Sequence, residues 1–146
     1  YQHLDTCSEG VLLAATLGAS VDMLIHRYNV MDMSRAVILQ ACAAAAIERV
    51  CDDHQGEIEE QAKAKGLFLR PRFSPGYGDF PLTYQKDVLG LLDAQRRIGL
   101  TRTESNMLTP SKSVTAVIGF TPVDTSCHIS RCMICSAKNC PFRKED

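Results

Sequence analysis

The chain has 146 residues, a formal net charge of −1, 45% apolar and 23% charged residues, the profile of one ordinary globular domain rather than of a disordered, collagenous or coiled-coil chain. Near-neutral charge removes the electrostatic drive toward nucleic acid. The longest unbroken apolar run, residues 41–47, is seven residues, far short of the roughly 20 that span a membrane.

Residues 11–17, flanked by Gly10 and Gly18, read as a buried strand. Ser20 is placed to cap a short helix whose Val21, Leu24, Ile25 and Tyr28 share one face. Asp32 or Ser34 starts a longer helix, with Val37, Ile38, Ala41, Cys42, Ala45, Val50 and Cys51 as its buried stripe. The alanines at 43–46 suit close approach of a neighbouring element. The acidic run Asp52, Asp53, Glu57, Glu59 and Glu60 reads as a solvated helix face. Gly56 is positioned to break or kink this helix and Gly66 to end it.

Residues 67–73 read as a strand that Pro71 confines to an edge or a strand end. A loop dense in Pro and Gly covers 74–81. Thr83 then caps a helix with Val88, Leu91, Leu92 and Gln95 on its inner face, stopped by Gly99. Residues 109–113 are a turn and 114–120 a strong strand, with 100–108 placed to pair with it as a hairpin. The result is an α+β domain over 1–120, a twisted, mostly antiparallel sheet packed with two or three helices, followed by a small Cys-rich appendage over 121–146. His3, His26 and His54 stand isolated and read as surface or satisfied histidines. The five methionines read as core fillers.

Around Arg70-Pro71-Arg72-Phe73-Ser74-Pro75-Gly76-Tyr77 the sequence carries its most specific chemistry. Two prolines stiffen the backbone, and Gly76 permits positive φ and leaves no side chain over the amides. Arg72 can hold a carboxylate through two parallel hydrogen bonds. Tyr77 adds a flat face and a hydroxyl. Together these suit a small zwitterionic ligand that carries a carboxylate and an aromatic base; the plain alternative is a rigid surface turn.

This stretch resembles the Arg-x-x-Pro-Gly-Tyr loop of the activation (reactivation) domain of cobalamin-dependent methionine synthase, matched by Arg72, Pro75, Gly76 and Tyr77. The likeness continues through Pro81 and Lys86, Leu100-Thr101, Glu104-Ser105 and the turn from Pro110 to Ser113-Val114. The chain looks most like the short free-standing relatives of that domain. The resemblance implies binding of S-adenosylmethionine, whose methyl group restores methylcobalamin after an electron donor reduces the inactive cob(II) form. Arg72 would then grip the methionyl carboxylate, backbone at Ser74 and Gly76 would hold the ligand, and Tyr77 would line the pocket. Cobalamin would be reached only through a partner, a methionine synthase or related corrinoid methyltransferase. The electron donor would be of flavodoxin or ferredoxin type.

The chain also departs from the family. It is shorter. The acidic residue of the family's long helix aligns best at Gln40, with Glu48 a poorer option. A family Tyr in the last strand is replaced near Gly119 and Phe120, and the Cys and His past the Pro-Gly-Tyr by Phe80 and its neighbours.

Seven cysteines are about twice the expected number, and they divide by spacing. Cys7, Cys42 and Cys51 are scattered and read as small hydrophobes. Cys127-x4-Cys132-x2-Cys135-x4-Cys140 places four thiols in 14 residues, enough for tetrahedral zinc or an iron–sulfur cluster. The odd count, and a start at Tyr1 with neither Met nor a basic–apolar leader, favour a fragment or processed form in the cytoplasm over a disulfide framework. Two functions stand side by side: a reactivation subunit that binds S-adenosylmethionine, and a four-cysteine electron-transfer or scaffold subunit that has lost it.

Overall fold

The apolar runs that read most clearly as strands pair with each other. The structure, a computed structural model, describes residues 2–122. Strand β1 (Glu9–Thr16) runs antiparallel to β5 (Ser113–Thr121), with Glu9 opposite Phe120 and Thr16 opposite Ser113. β5 is central. The sheet order is β1-β5-β2, with β2 (Phe68–Leu69) antiparallel on the far edge of β5. The fold is the antiparallel α+β arrangement that the sequence predicts. The four-cysteine site lies outside the described residues.

Alternation along β1 divides the core into two layers, because successive side chains point to opposite faces. Leu13 and Ala15 join Ala116 of β5 under Ile47 and Cys51 of the long helix α2 (Met33–Ala64). Ala14 points the other way and packs with Leu89 of α3 (Gln85–Leu91), Ala94 of α4 (Ala94–Ile98) and Leu100. Ile118 in the central strand is fully buried, which stabilises by about 1.5–3 kcal/mol. The buried Gln85 donates from Nε2 to Thr115 Oγ1 at 2.6 Å, so this polar pair is satisfied.

Helix α1 (Ala19–Met31) is joined to α2 by Asp32 alone, which closes one and caps the other. Its carboxylate accepts from Arg35 N at 3.2 Å, so the cap is Asp32 and not Ser34. The start of α1 is Gly18, at φ 81°, rather than Ser20. Asp22 ties α1 to the turn before β5, accepting from Ser111 N at 2.6 Å and from Ser111 Oγ at 2.7 Å.

Several expectations are corrected. α2 runs through Gly56 without a break, because nothing there obliges a turn, and ends before Gly66 at φ 71°. Its buried residues are Ala36, Ala43, Ile47, Cys51 and Ala62, so Val37, Ile38, Ala41, Cys42, Ala45 and Val50 are exposed and Ala43 alone of the four alanines at 43–46 is covered. The helix expected after Thr83 starts two residues later and divides at Asp93, whose φ of 47° is left-handed, into α3 and α4. Leu91 and Gln95 consequently face solvent. Residues 100–108 do not pair with β5. They fold on themselves, β3 (Thr101–Arg102) against β4 (Leu108–Thr109). Met23, Met31, Met33 and Met107 are exposed rather than core-filling. Among the described residues no helix is long and apolar enough to cross a membrane.

Candidate functional site

The expected strand over 67–73 forms only at its two ends. Arg70 N donates to Gly119 O at 2.8 Å, and Phe73 exchanges bonds with Val117 at 3.0 and 2.8 Å. Between them Pro71 has no N–H to give, so Arg70-Pro71-Arg72 lifts off the ladder while staying pinned on both sides. Arg72 is thereby held at the sheet edge, facing α2.

The loop beyond is folded by its own backbone. Gly76, at φ 97°, donates its N–H to Phe80 O at 2.7 Å, and Phe80 N returns to Tyr77 O at 2.9 Å. Positive φ of this size is glycine's territory. Phe73 stacks between His3 (centroids 4.3 Å) and Phe80 (6.1 Å), and Phe80 tilts against Tyr84 (5.7 Å). This ladder of rings stiffens the loop from beneath. His3 also bonds Pro71 O through Nε2 at 2.8 Å, so it is satisfied within the structure.

Arg72, Ser74 and Tyr77 line one cavity of about 440 Å3, whose opposite wall is Glu48, Asp52 and Gln55 of α2. That volume falls within the range of small-molecule sites, about 300–1,000 Å3. Arg72 Nη2 donates to Glu48 Oε2 at 3.1 Å, and Nη1 lies 2.8 Å from Asp52 Oδ1. Glu48 and Asp52 reach it together because residues four apart share a helix face. The guanidinium is 18% exposed and the two carboxylates 61% and 65%. Nη1 is buried and its N–H groups are not aligned on an acceptor, although it lies in ion-pair contact with Asp52.

Tyr77 is 62% exposed at the mouth. Gly76 lies in the loop behind the lining; with its N–H already given to Phe80, its carbonyl is what it can offer a ligand. Under the cavity floor sits Cys51, fully buried. Burial pushes its thiol up, and the neighbouring Arg72 partly counteracts this, while Glu48 and Asp52 add to it.

The structure thus joins three of the four residues singled out in the loop and adds an acidic wall, of which the sequence offered Glu48 only as the poorer alignment option. Gln40 is exposed and two turns of α2 away from Glu48, the residue that pairs with Arg72. Asp52 stood in a run read as solvated. The signal was present as the i, i+4 spacing of Glu48 and Asp52, set against the need of a half-buried Arg72 for counter-charge.

No protein-family model matches the chain, and no curated protein matches it significantly. Among the described residues no group of three or more His, Cys, Asp or Glu side chains is placed to hold a metal ion. The metal ligands expected from sequence, Cys127, Cys132, Cys135 and Cys140, all lie outside the described residues.

Proposed function

We propose that this chain is a reactivation subunit that binds S-adenosylmethionine and presents its methyl group to the cobalamin of a partner methyltransferase, of the methionine synthase kind. The observation that carries the reading is the opposition of Arg72 to Glu48 and Asp52 across one small cavity. An amino-acid end group has one negative and one positive site. A guanidinium facing two carboxylates is complementary to both. The acidic wall also suits the positive sulfonium, and Tyr77 at the mouth suits the adenine ring.

The chain's own residues bind and orient. Arg72 exchanges an internal carboxylate for that of the ligand. Glu48, released by the exchange, takes the ammonium group, and Asp52 stays as counter-charge to Arg72. The loop at 74–77 fixes how far the ligand projects. Cobalamin, held by the partner, supplies the methyl-accepting metal chemistry, and the contribution of this fold is positioning. Within the described residues this reading calls for no acid–base residue.

Calorimetric titration with S-adenosylmethionine tests the reading. Saturable binding in the intact chain and its loss in Arg72→Ala support it. Absence of heat at millimolar ligand refutes it for this chain, and leaves the four-cysteine electron-transfer or scaffold reading. That alternative is read separately from the metal content of the purified protein and an absorption band near about 400 nm.

A further inference from the structure

Strand β1 is an open edge of the sheet: among the described residues it pairs with β5 alone. The hydrogen bonds of β5 fix which of its backbone groups are left over. Val117 and Gly119 bond the segment on the β2 side, Val117 to Phe73 and Gly119 to Arg70. The alternate residues Val114, Ala116 and Ile118 therefore turn their backbone toward β1, opposite Ala15, Leu13 and Val11. Leu17 N bonds Lys112 O at 3.0 Å in the same phase. The N–H and C=O groups of Gly10, Leu12 and Ala14 then point away from the sheet, and they carry no hydrogen bond among the described residues. Natural edges are blunted by Lys, Pro or a bulge. This one has none of them, and its single charge, Glu9, stands at its start. The edge lies at the base of a cavity of about 280 Å3. Leu12 and Ala14 line it from β1, His54 from α2 on one face of the sheet, and Leu92, Arg97 and Ile98 on the other. It is separate from the Arg72 cavity, because His54 lies on one flank of the buried Cys51, and Asp52 and Gln55 on the other.

We propose that an extended segment of a partner protein adds to β1 in this slot as a further strand. Its side chains are apolar where they meet Leu12, Leu92 and Ile98, and one acidic residue comes within reach of Arg97. The leftover N–H and C=O groups stand on alternate residues, about 6.8 Å apart, a repeat that another extended backbone matches and a helix does not. From Gly10 to Ala14 the edge runs about 14 Å, enough for five residues of such a segment. Arg97 has no ion pair among the described residues, since Asp93 pairs instead with Arg96 at 3.6 Å. That leaves a cation on the wall of the slot for a carboxylate of the incoming strand. A second copy of this chain fits less well. Its own β1 is flanked in the same way by α2 and α4, so the walls of the two slots meet before the strands do. The proposal stands apart from whether the Arg72 cavity holds S-adenosylmethionine.

Residue-resolved amide exchange of the intact chain by nuclear magnetic resonance tests this, with the blocked peptide acetyl-Glu-Val-Thr-Val-Thr-Val-amide as probe. In the free chain the amides of Gly10, Leu12 and Ala14 are expected to exchange about tenfold or more faster than those of Val11, Leu13 and Ala15. Millimolar peptide is expected to slow the first three. Arg97→Glu, at an exposed position, is expected to weaken the peptide about fivefold or more. The same peptide methylated on every backbone nitrogen is expected not to bind. Protection of the three amides without peptide overturns the proposal: if it is independent of concentration the chain covers its own edge, and if it grows with concentration a second copy does. No response to the peptide, an equal response to its methylated form, or unchanged affinity in Arg97→Glu overturns it as well.

Discussion

Replacing Glu48 with Gln separates a residue that holds Arg72 from one that holds a ligand. In the free chain Glu48 is 61% exposed, so water screens its pair with Arg72, and the substitution lowers stability by only about 0.2–1 kcal/mol. Asp52 remains as counter-charge at 2.8 Å. Binding responds differently. A charge-assisted hydrogen bond to a ligand ammonium is worth about 1.5–3 kcal/mol, so Glu48→Gln weakens S-adenosylmethionine by about 10- to 150-fold. The opposite sign follows if Glu48 only shields Arg72: removing a competing carboxylate would free the guanidinium, and affinity would rise. Calorimetric titration gives the affinity, and urea denaturation of the same samples gives the stability. Tighter binding by the variant would refute the assignment of Glu48 to the ammonium group. A stability loss above about 3 kcal/mol, the scale of breaking a buried pair, would refute the screened geometry.

Three other outcomes are expected. Cys51 is buried with its thiol pushed up, so at mildly alkaline pH peptide mapping should find Cys42, which is exposed, labelled long before Cys51. A folded-state value above the unfolded one means that this thiol's contribution to stability is complete below the ordinary thiol range and is lost as pH rises through the folded value; a urea midpoint that climbs over that window would contradict it. Gly76→Ala puts a Cβ on a residue at φ 97°, 3.4 Å from Leu82 Cδ1, and should destabilise by about 1–2 kcal/mol and loosen ligand binding in the same titration. Gly56→Ala fills an open helix position with nothing within 4 Å, and should raise stability by up to about 1 kcal/mol; a lower melting temperature would count against an unbroken α2.

The sheet was legible because its strands are short apolar runs between turn residues, and Pro71 marked β2 as an edge. The ends of α2 were legible too, from Asp32 and Gly66. Its facing was not. From Ala36 to Ile47 nearly every position is apolar, and periodicity cannot choose a buried side where both sides qualify. The break at Asp93 was hidden because Asp tolerates a left-handed backbone without advertising it. The loop half of the pocket could be read from Arg72 and Tyr77. The helix half was read only in part: Glu48 was an alignment option and its i, i+4 spacing to Asp52 was visible, but both look like any solvated acids until the sheet edge brings Arg72 across to them.

That meeting makes the pocket a calliper. One jaw is the sheet edge, where Arg72 is clamped between the anchor bonds of Arg70 and Phe73. The other jaw is a rigid rod, α2. What separates them is the layer of Ile47, Cys51, Leu13 and Ala116, so the span offered to a ligand is set by the girth of side chains that never meet it. Trimming that layer, as in Ile47→Val, would draw the rod toward the sheet and shorten the reach between Arg72 and the acids. If the pocket takes a ligand as proposed, its selectivity for size can therefore drift through changes in the core while every residue that lines the pocket stays the same.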